Sequence, residues 1–582
     1  MPSFFDHRNL PFPLNVYAHT LMLEEGEVKS LHYGLFLKPE TGISEAQRYA
    51  SQLMLEHLPS SPCRILEVGL GLASTLAELK QLGYEATGIT PEPAQAKHAK
   101  EHWGADMPVV CSRLEYFSAP TESFDVMLFR DSARYFSPLD IFTKAAELLV
   151  QGGEMLILDE FALKRTETGK AGLHLLKHFI DLAGRFGFEV AEQLDLSSMA
   201  VPTLEYWLAS VKKYRARLAE DLGLSPLSLD ELNLSNQADR EDYMTGRCGY
   251  ALLRLRKSAT PLRWRPGEIT EANHEQMLAL FKSCFGHDMS PAHWHWKYAE
   301  GRGQAIGVWQ DKELIAHYGG MTRDILFFGQ PQKGLQPCDV MVKQEGRGTL
   351  SRKGPFFIAT ATFLESYLGY GKKHTVALGF PSERHNVVAQ RLGFYYEDEV
   401  DHMVEVSWMP KPCRPQVWTE LRKLDCDDAY SEEVTNRLWL LMSQEFKAGL
   451  IGVRDWDYLK YRYFNHPEKH YEVFLIRTRF GKSPRGVIVC RQHGGECELL
   501  EIIAPLQDIP GIINQARKVA GCAGAKRLYC WVTEHYSKLF LSTGGKAHDL
   551  GISIPAGSWT AGPPLEQISN RWWLMGGDTD SR

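Results

Sequence analysis

The sequence has no C-x-x-C pair, no long apolar run and no surplus of positive charge. Its 11 cysteines are scattered from Cys63 to Cys530. Only Cys490 and Cys497 lie close together, with His493 between them, a spacing that favours free thiols over a metal site. The expectation is a reduced, cytoplasmic protein with no resident metal. No uninterrupted apolar stretch approaches membrane-spanning length. The opening residues MPSFFDHRNLPFPLNVYAHT lack a basic region followed by an apolar core, so no cleaved leader is expected. A net charge of -7, from 65 basic and 72 acidic residues, argues against a general partner role with nucleic acid or with an anionic membrane.

What is present is ordinary globular composition, 44% apolar and 24% charged, over 582 residues. That length exceeds one core and predicts two to four domains. Residues 60–160 alternate strand-like and helical patterns: RILEVGL, EATGIT, MPVVCS, FDVMLFR and GEMLILDEF read as strands. STLAELKQLG and PLDIFTKAAELLVQGG read as helices, the latter capped at Gly152 and Gly153. This is the pattern of a doubly wound α/β sheet. Residues 170–245 read as mostly helical, with EYWLASVKKYRARLAEDLG one amphipathic run, and CGYALLRLRK closes the domain as a strand. Prolines 261 and 266 mark a boundary, and those in WMPKPCRPQ mark a second. The expected domains are 1–258, 259–410 and 411–582. The last two echo one another: HWHWKYAEGRGQAIGVWQDKELIAHYGG and YLKYRYFNHPEKHYEVFLIRTRFGKSPRGVIVCR each give an aromatic, basic helix end, a loop and a hairpin.

The turn EVGLGLAS places Glu67, Gly69 and Gly71 after the first strand, with Ala73 as the third small residue. Glycines let a cofactor approach the backbone, and the following helix offers free N–H groups. Nucleotide-binding units usually end the second strand in an acid that holds the ribose hydroxyls. Here GITPEPAQ offers Thr90 and Gln95 instead, and a hydroxyl and an amide can make those bonds without a carboxylate.

On these motifs residues 1–257 resemble class I S-adenosylmethionine-dependent methyltransferases, in the small-molecule branch that includes cyclopropane-fatty-acid synthases and tocopherol methyltransferases. The resemblance implies a Rossmann-like sheet that binds S-adenosylmethionine through Glu67, Gly69, Gly71, Thr90, Gln95 and the SRLEYF segment with Arg113, Leu114 and Glu115. LHYGLF resembles the segment that folds over the sulfonium, so His32, Tyr33 and Gly34 become lid residues, Tyr33 beside the reacting methyl. Where cyclopropane synthases carry a glutamate, this chain has Arg134, followed by Tyr135. Methyl transfer to oxygen, nitrogen or sulfur is therefore expected rather than alkene chemistry. Asp131 and Tyr135 stand where a base belongs, and Asp131 equally suits a helix N-cap. Tyr206 and Tyr243 are expected near a small-molecule acceptor.

CDVMVKQEGRGTLSRKGPFF and LGFPSERHNVVAQRLGFYYE resemble the GCN5-related N-acetyltransferase superfamily. That implies two α+β acetyltransferase-like domains in tandem, the second a degenerate copy. It also implies acetyl-CoA or another acyl-CoA held at Arg347, Gly348, Arg352 and Gly354, with Lys353 nearby. The loop is longer than the family's, and Ala389 stands where the family's acid tyrosine falls; Tyr395 and Tyr396 follow it. Three functions fit. One is a bifunctional methyl- and acyltransferase. Another is a methyltransferase with a non-catalytic binding module. The third is a polyketide-loading type of didomain acting on a separate carrier protein.

Overall fold

The computed structural model describes residues 6–165, 173–347, 351–396, 401–413 and 418–580. The chain forms two compact units, Met1–Arg265 and Pro266–Arg582. Among the described residues no helix is long and apolar enough to cross a membrane.

The first unit is built on a seven-stranded sheet: β1 (Arg64–Val68), β2 (Glu85–Thr90), β3 (Val109–Cys111), β4 (Phe124–Arg130), β5 (Leu149–Ala162), β6 (Phe188–Asp195) and β7 (Cys248–Lys257). Their order is β3-β2-β1-β4-β5-β7-β6. The first five run parallel, and β7 runs antiparallel between β5 and β6. The order reverses between β1 and β4, and ligands of open α/β sheets bind in the crevice beyond such a point. Apolar residues of the central strands are almost wholly buried, as Ile65, Leu66, Met127, Leu128, Leu156 and Ile157 show.

Three local expectations are corrected. The helix Pro138–Leu148 ends before the glycines, and Gly152 (φ 76°) and Gly153 lie inside β5, which already pairs with β4 at Leu149. A register shift there explains why glycine is needed. The presumed single helix over 205–223 breaks at Tyr214 into Ser197–Lys213 and Arg215–Leu222. Strand β6 interrupts the stretch read as helical; it is a largely exposed edge strand, so its polar residues hid the signal.

The second unit holds two sheets. Its strands are β8 (Arg265–Glu268), β9 (Gly303–Gln310), β10 (Glu313–Phe327), β11 (Gln330–Val342), β12 (Val376–Ala377), β13 (Asp401–Trp408), β14 (Thr419–Lys423), β15 (Leu450–Gly452), β16 (Glu472–Thr478), β17 (Pro484–His493), β18 (Glu496–Ile503), β19 (Leu528–Thr533), β20 (Lys546–Ile554) and β21 (Trp572–Trp573). One sheet runs β12-β11-β10-β15-β21, with β9 joining β10 to β8; the other runs β14-β16-β17-β18-β19-β13-β20. Strands are exchanged across position 410: β13 inserts between β19 and β20, while β15 and β21 extend the sheet of β10.

The two echoing segments meet at their matching residues. Trp296 and Tyr461 stack with centroids 4.9 Å apart. Trp296 Nε1 donates to the Tyr461 carbonyl (3.0 Å), and Tyr461 Oη donates to the Trp296 carbonyl (2.8 Å). Each segment is a helix capped by a polar side chain, Ser290 or Asp455, followed by a meander whose middle strand carries a register shift.

The expectation of free thiols fails at one pair. Cys413 and Cys522 form a disulfide across 109 residues of sequence, a separation no local spacing reveals. The other nine cysteines are free, Cys490 and Cys497 both fully buried.

Candidate functional site

In the first unit the turn after β1 forms one wall of the crevice. Gly69 has φ 89°, and a Cβ there would lie 2.6 Å from Ser132 Cβ, so this glycine lets β1 and β4 close on one another. Gly71 has φ 51°, and a Cβ there would meet nothing within 4 Å. The two glycines thus do different things: the first permits packing, the second leaves space. Ala73 adopts left-handed geometry at the start of helix Ser74–Gln81, whose first turn has no side-chain cap.

Glu67 is 2% exposed, and its Oε2 has no hydrogen-bond partner. Burial pushes its carboxyl up to about 8, against the pull of Arg130 and Thr75. Arg130, at the end of β4, is buried and donates to Thr75 Oγ1 (2.8 Å), Ser51 Oγ (2.6 Å) and His32 Nε2. On the other side of β1, Thr90 Oγ1 donates to Gln95 Oε1 at 2.6 Å and accepts from the Glu92 amide at 3.2 Å. Thr90 is thereby occupied, and its bond to Gln95 uses that residue's oxygen rather than its amide nitrogen. Leu114 is fully buried core, and Arg113 pairs with Glu115 at 3.5 Å across the turn Leu114–Tyr116.

Asp131 is not a helix N-cap. It has φ 50°, and its carboxylate accepts from the Tyr33 amide (2.7 Å) and from Tyr250 Oη (2.7 Å). It therefore clasps the N-terminal segment to the sheet. Burial raises its carboxyl above the ordinary range, with Arg134 opposing. Thr203 grips Gly34 through both its amide and its carbonyl, at 3.1 Å each. His32 donates from Nδ1 to the Tyr33 carbonyl.

Beyond the clasp lies a group the sequence reading missed. Glu160 Oε1 accepts from Tyr33 Oη (3.1 Å) and Tyr243 Oη (2.9 Å), while Oε2 pairs with Arg134. Asp159 is fully buried and accepts from the amides of Arg134 and Glu160; burial raises its carboxyl to about 7. Two acids closing the apolar strand EMLILDEF were the available signal. Tyr135 is 72% exposed, and its ring carries the Arg134 guanidinium, 5.3 Å from the centroid. Tyr206 packs against Leu21, Ile43 and Trp207.

In the second unit, Arg347 turns back onto the Val342 carbonyl (2.7 Å), and the Arg352 guanidinium lies 5.8 Å from the Trp559 ring centroid. Gly354 caps helix Pro355–Tyr367 with no side-chain bond, leaving first-turn amides available. Gly348 lies outside the described residues. Tyr395 is half-buried, with Oη 3.4 Å from His385 Nε2; Tyr396 is exposed.

Three residues before the end of β11, Asp339 sits at φ 51° in the register shift between β10 and β11. It accepts from Lys297 Nζ (2.8 Å) and Tyr298 Oη (2.6 Å). Its carbonyl accepts from His317 Nδ1 at 2.7 Å. A Cβ on Gly319 would lie 2.3 Å from Tyr298 Oη and 2.8 Å from His317 Cε1, so glycine is needed for these side chains to meet.

Residues 66–157 match the family model described as a methyltransferase domain, and residues 265–396 match that of an acetyltransferase (GNAT) domain. A cyclopropane synthase from Mycobacterium tuberculosis is similar over 39% of this chain and 89% of its own, at 18% identity and TM-score 0.33. A geranyl diphosphate C-methyltransferase from Streptomyces coelicolor covers 43% and 99%, at 15% identity and TM-score 0.32. A conserved protein of unknown function from Enterococcus faecalis, described as a probable N-acyltransferase, covers 51% and 72%, at 13% identity and TM-score 0.39. A search of curated proteins finds no match.

Proposed function

We propose that this chain, which carries a methyltransferase domain and an acetyltransferase-type domain, is a bifunctional transferase. Its first unit would move a methyl group from S-adenosylmethionine to a small-molecule acceptor, and its second an acyl group from acyl-CoA to the same or a related metabolite. The observation that carries the first half is the crevice between β1 and β4. The turn after β1 leaves open space over Gly71, Glu67 on β1 keeps an unpartnered buried oxygen, and Gln95 follows the neighbouring strand β2.

That set suits the cofactor. Gln95 would hold the ribose with Thr90 orienting it, and Glu67 would face positive charge. Bound S-adenosylmethionine supplies an electrophilic methyl on a sulfonium. The chain aligns the acceptor with it and removes water. Asp131 fixes Tyr33 by its backbone, and Tyr33 reaches Glu160 by its hydroxyl, so the lid links the cofactor crevice to the Glu160–Tyr243–Arg134 group. That group would line the acceptor pocket.

For the second half, the uncapped helix at Gly354 and the basic residues Arg347, Arg352 and Lys353 support a diphosphate site. The halves 259–410 and 411–582 would be two acetyltransferase-like copies interlocked by exchanged strands.

Titration calorimetry of the full chain tests both sites. One mole of S-adenosylmethionine and one of acetyl-CoA should bind per chain, neither displacing the other. No heat and no thermal protection with S-adenosylmethionine would overturn the methyl-transfer reading; the same result with acetyl-CoA would leave the second unit without acyl transfer.

A further inference from the structure

The two copies in the second unit have unequal centres. In the second, Arg454 pairs with Glu501 (2.7 Å) and Asp578 (2.6 Å), and Arg323 also reaches Asp578 (3.0 Å). Arg454, Glu501 and Asp578 are wholly shut from solvent, and with Arg323 the two cations and two carboxylates balance. The register shift of β17 falls at Val489 and Cys490, which carry no base. In the first copy the matching shift on β10 falls between His317 and Gly319. A carbonyl can only accept, so the bond to Asp339 puts the His317 proton on Nδ1. Nε2 is then an unprotonated lone pair. It is buried and has no partner, on a residue 1% exposed. Such an orphan in a packed core calls for an explanation, and a catalytic role is one.

We propose that the Asp339 register shift is the acyl-transfer centre of the second unit, with His317 Nε2 as proton acceptor for a primary-amine substrate. This rests on the acyl-transfer reading above. Strand β11 leads from Asp339 to Val342, whose carbonyl holds Arg347, so a thioester whose phosphates lie at Arg347 and the start of helix Pro355–Tyr367 would run alongside this strand. Asp580, which Lys297 holds at 3.4 Å, is 27% exposed, against 3% for Lys297 and 5% for Asp339. It is the cluster's opening to solvent and the counter-ion for an incoming ammonium. The ammonium gives one proton to His317 Nε2. The free amine then attacks the thioester carbonyl, a C–N bond forms and the C–S bond breaks. The nitrogen's second proton passes to the departing thiolate, and His317 returns its proton to solvent.

The test uses the full chain, acetyl-CoA, and n-butylamine and spermidine as acceptors. His317→Gln should bind acetyl-CoA as the parent does, yet lose about 10²–10⁴-fold in kcat/KM for aminolysis. It should also lose the ascending limb of the pH profile. The ionisable side chains of Lys297, Tyr298, Cys338, Asp339, Asp580 and Lys469 lie around this point, so the limb is assigned only by its loss in this variant. Asp580→Asn, on a partly open residue, should raise the KM for amine about tenfold without changing acetyl-CoA affinity. It should also weaken n-butylamine binding to the protein without acetyl-CoA. Nitrogen-15 imidazole NMR of the unliganded protein should show His317 as the Nδ1–H tautomer, a readout that stands even where His317→Gln does not fold. Absence of acetyl-CoA binding would overturn the acyl-transfer reading beneath the proposal. With acetyl-CoA bound, no aminolysis of either amine, an unaltered His317→Gln profile, an unaltered Asp580→Asn KM, or the other tautomer would each overturn the proposal itself.

Discussion

Thr90 Oγ1 donates a 2.6 Å hydrogen bond to Gln95 Oε1, so the two residues proposed to hold the ribose are one unit. Gln95→Ala should weaken S-adenosylmethionine binding about two- to tenfold, the worth of one neutral hydrogen bond. Thr90→Val should cost nearly as much by releasing Gln95, and the double variant little more than either. A double-mutant cycle on the dissociation constants reads this; additive losses would show two independent contacts.

Gly69 and Gly71 should separate stability from binding. Gly69→Ala pushes a Cβ to within 2.6 Å of Ser132 at a left-handed φ, so unfolding free energy should fall by roughly 1–3 kcal/mol. Gly71→Asn keeps a left-handed φ that asparagine tolerates, so stability should hold while the side chain enters the crevice. Its affinity for S-adenosylmethionine should drop by roughly a factor of ten or more, equivalent to about 1.4 kcal/mol. Unchanged binding would move the cofactor away from Gly71.

Asp131→Ala removes the acceptor of both the Tyr33 amide and Tyr250 Oη. Each orphaned group costs about 1–3 kcal/mol. Amide exchange at Tyr33 should accelerate while strands β1 and β2 keep their protection. Equal protection at Tyr33 in the variant would deny the clasp.

Glu67 should make cofactor binding proton-linked. Its folded-state carboxyl lies near 8 against an ordinary 4.5, so the folded chain holds a proton that the unfolded chain has released. Its contribution to stability is full below the ordinary value and is lost as pH rises toward 8. A cation beside Glu67 favours the ionised form, so S-adenosylmethionine should release up to one proton on binding at pH 7. S-adenosylhomocysteine, lacking the sulfonium charge, should release less. Calorimetry in buffers of different ionisation enthalpy measures the difference, and equal heats for the cofactor in all buffers would separate Glu67 from it.

Asp578→Ala should strip the shared partner from Arg323 and Arg454. Breaking a buried pair costs about 3–5 kcal/mol, read as a lower unfolding midpoint of the second unit in denaturant. A change near zero would mean that the two arginines find other acceptors.

Much of the crevice was legible because its parts are local. One strand, one turn and one helix place Glu67, Gly69 and Gly71 within a few residues, and Thr90 and Gln95 flank a single helix start. Glu160 was not legible: its partners Tyr33 and Tyr243 are 127 and 83 positions away. The misread glycines at 152 and 153 show the same limit from the other side, since a helix C-cap and a strand bulge ask for the same residue. The Trp296–Tyr461 pair was visible only as an echo between two segments; its reciprocal bonds needed both segments folded.

The sequence alone determined the alternating strands and helices of the first unit, the glycine turn after β1 and the doubled pattern of the second. Those depend on side-chain period and turn chemistry within a dozen residues. Tertiary structure decided that β7 enters between β5 and β6, that β13, β15 and β21 change sheets, and that Cys413 meets Cys522. It also left His317 Nε2 without a partner while closing the matching centre with Asp578. Such outcomes are set by which distant surfaces bury one another, and by the requirement that buried charges and donors find partners wherever the chain brings them.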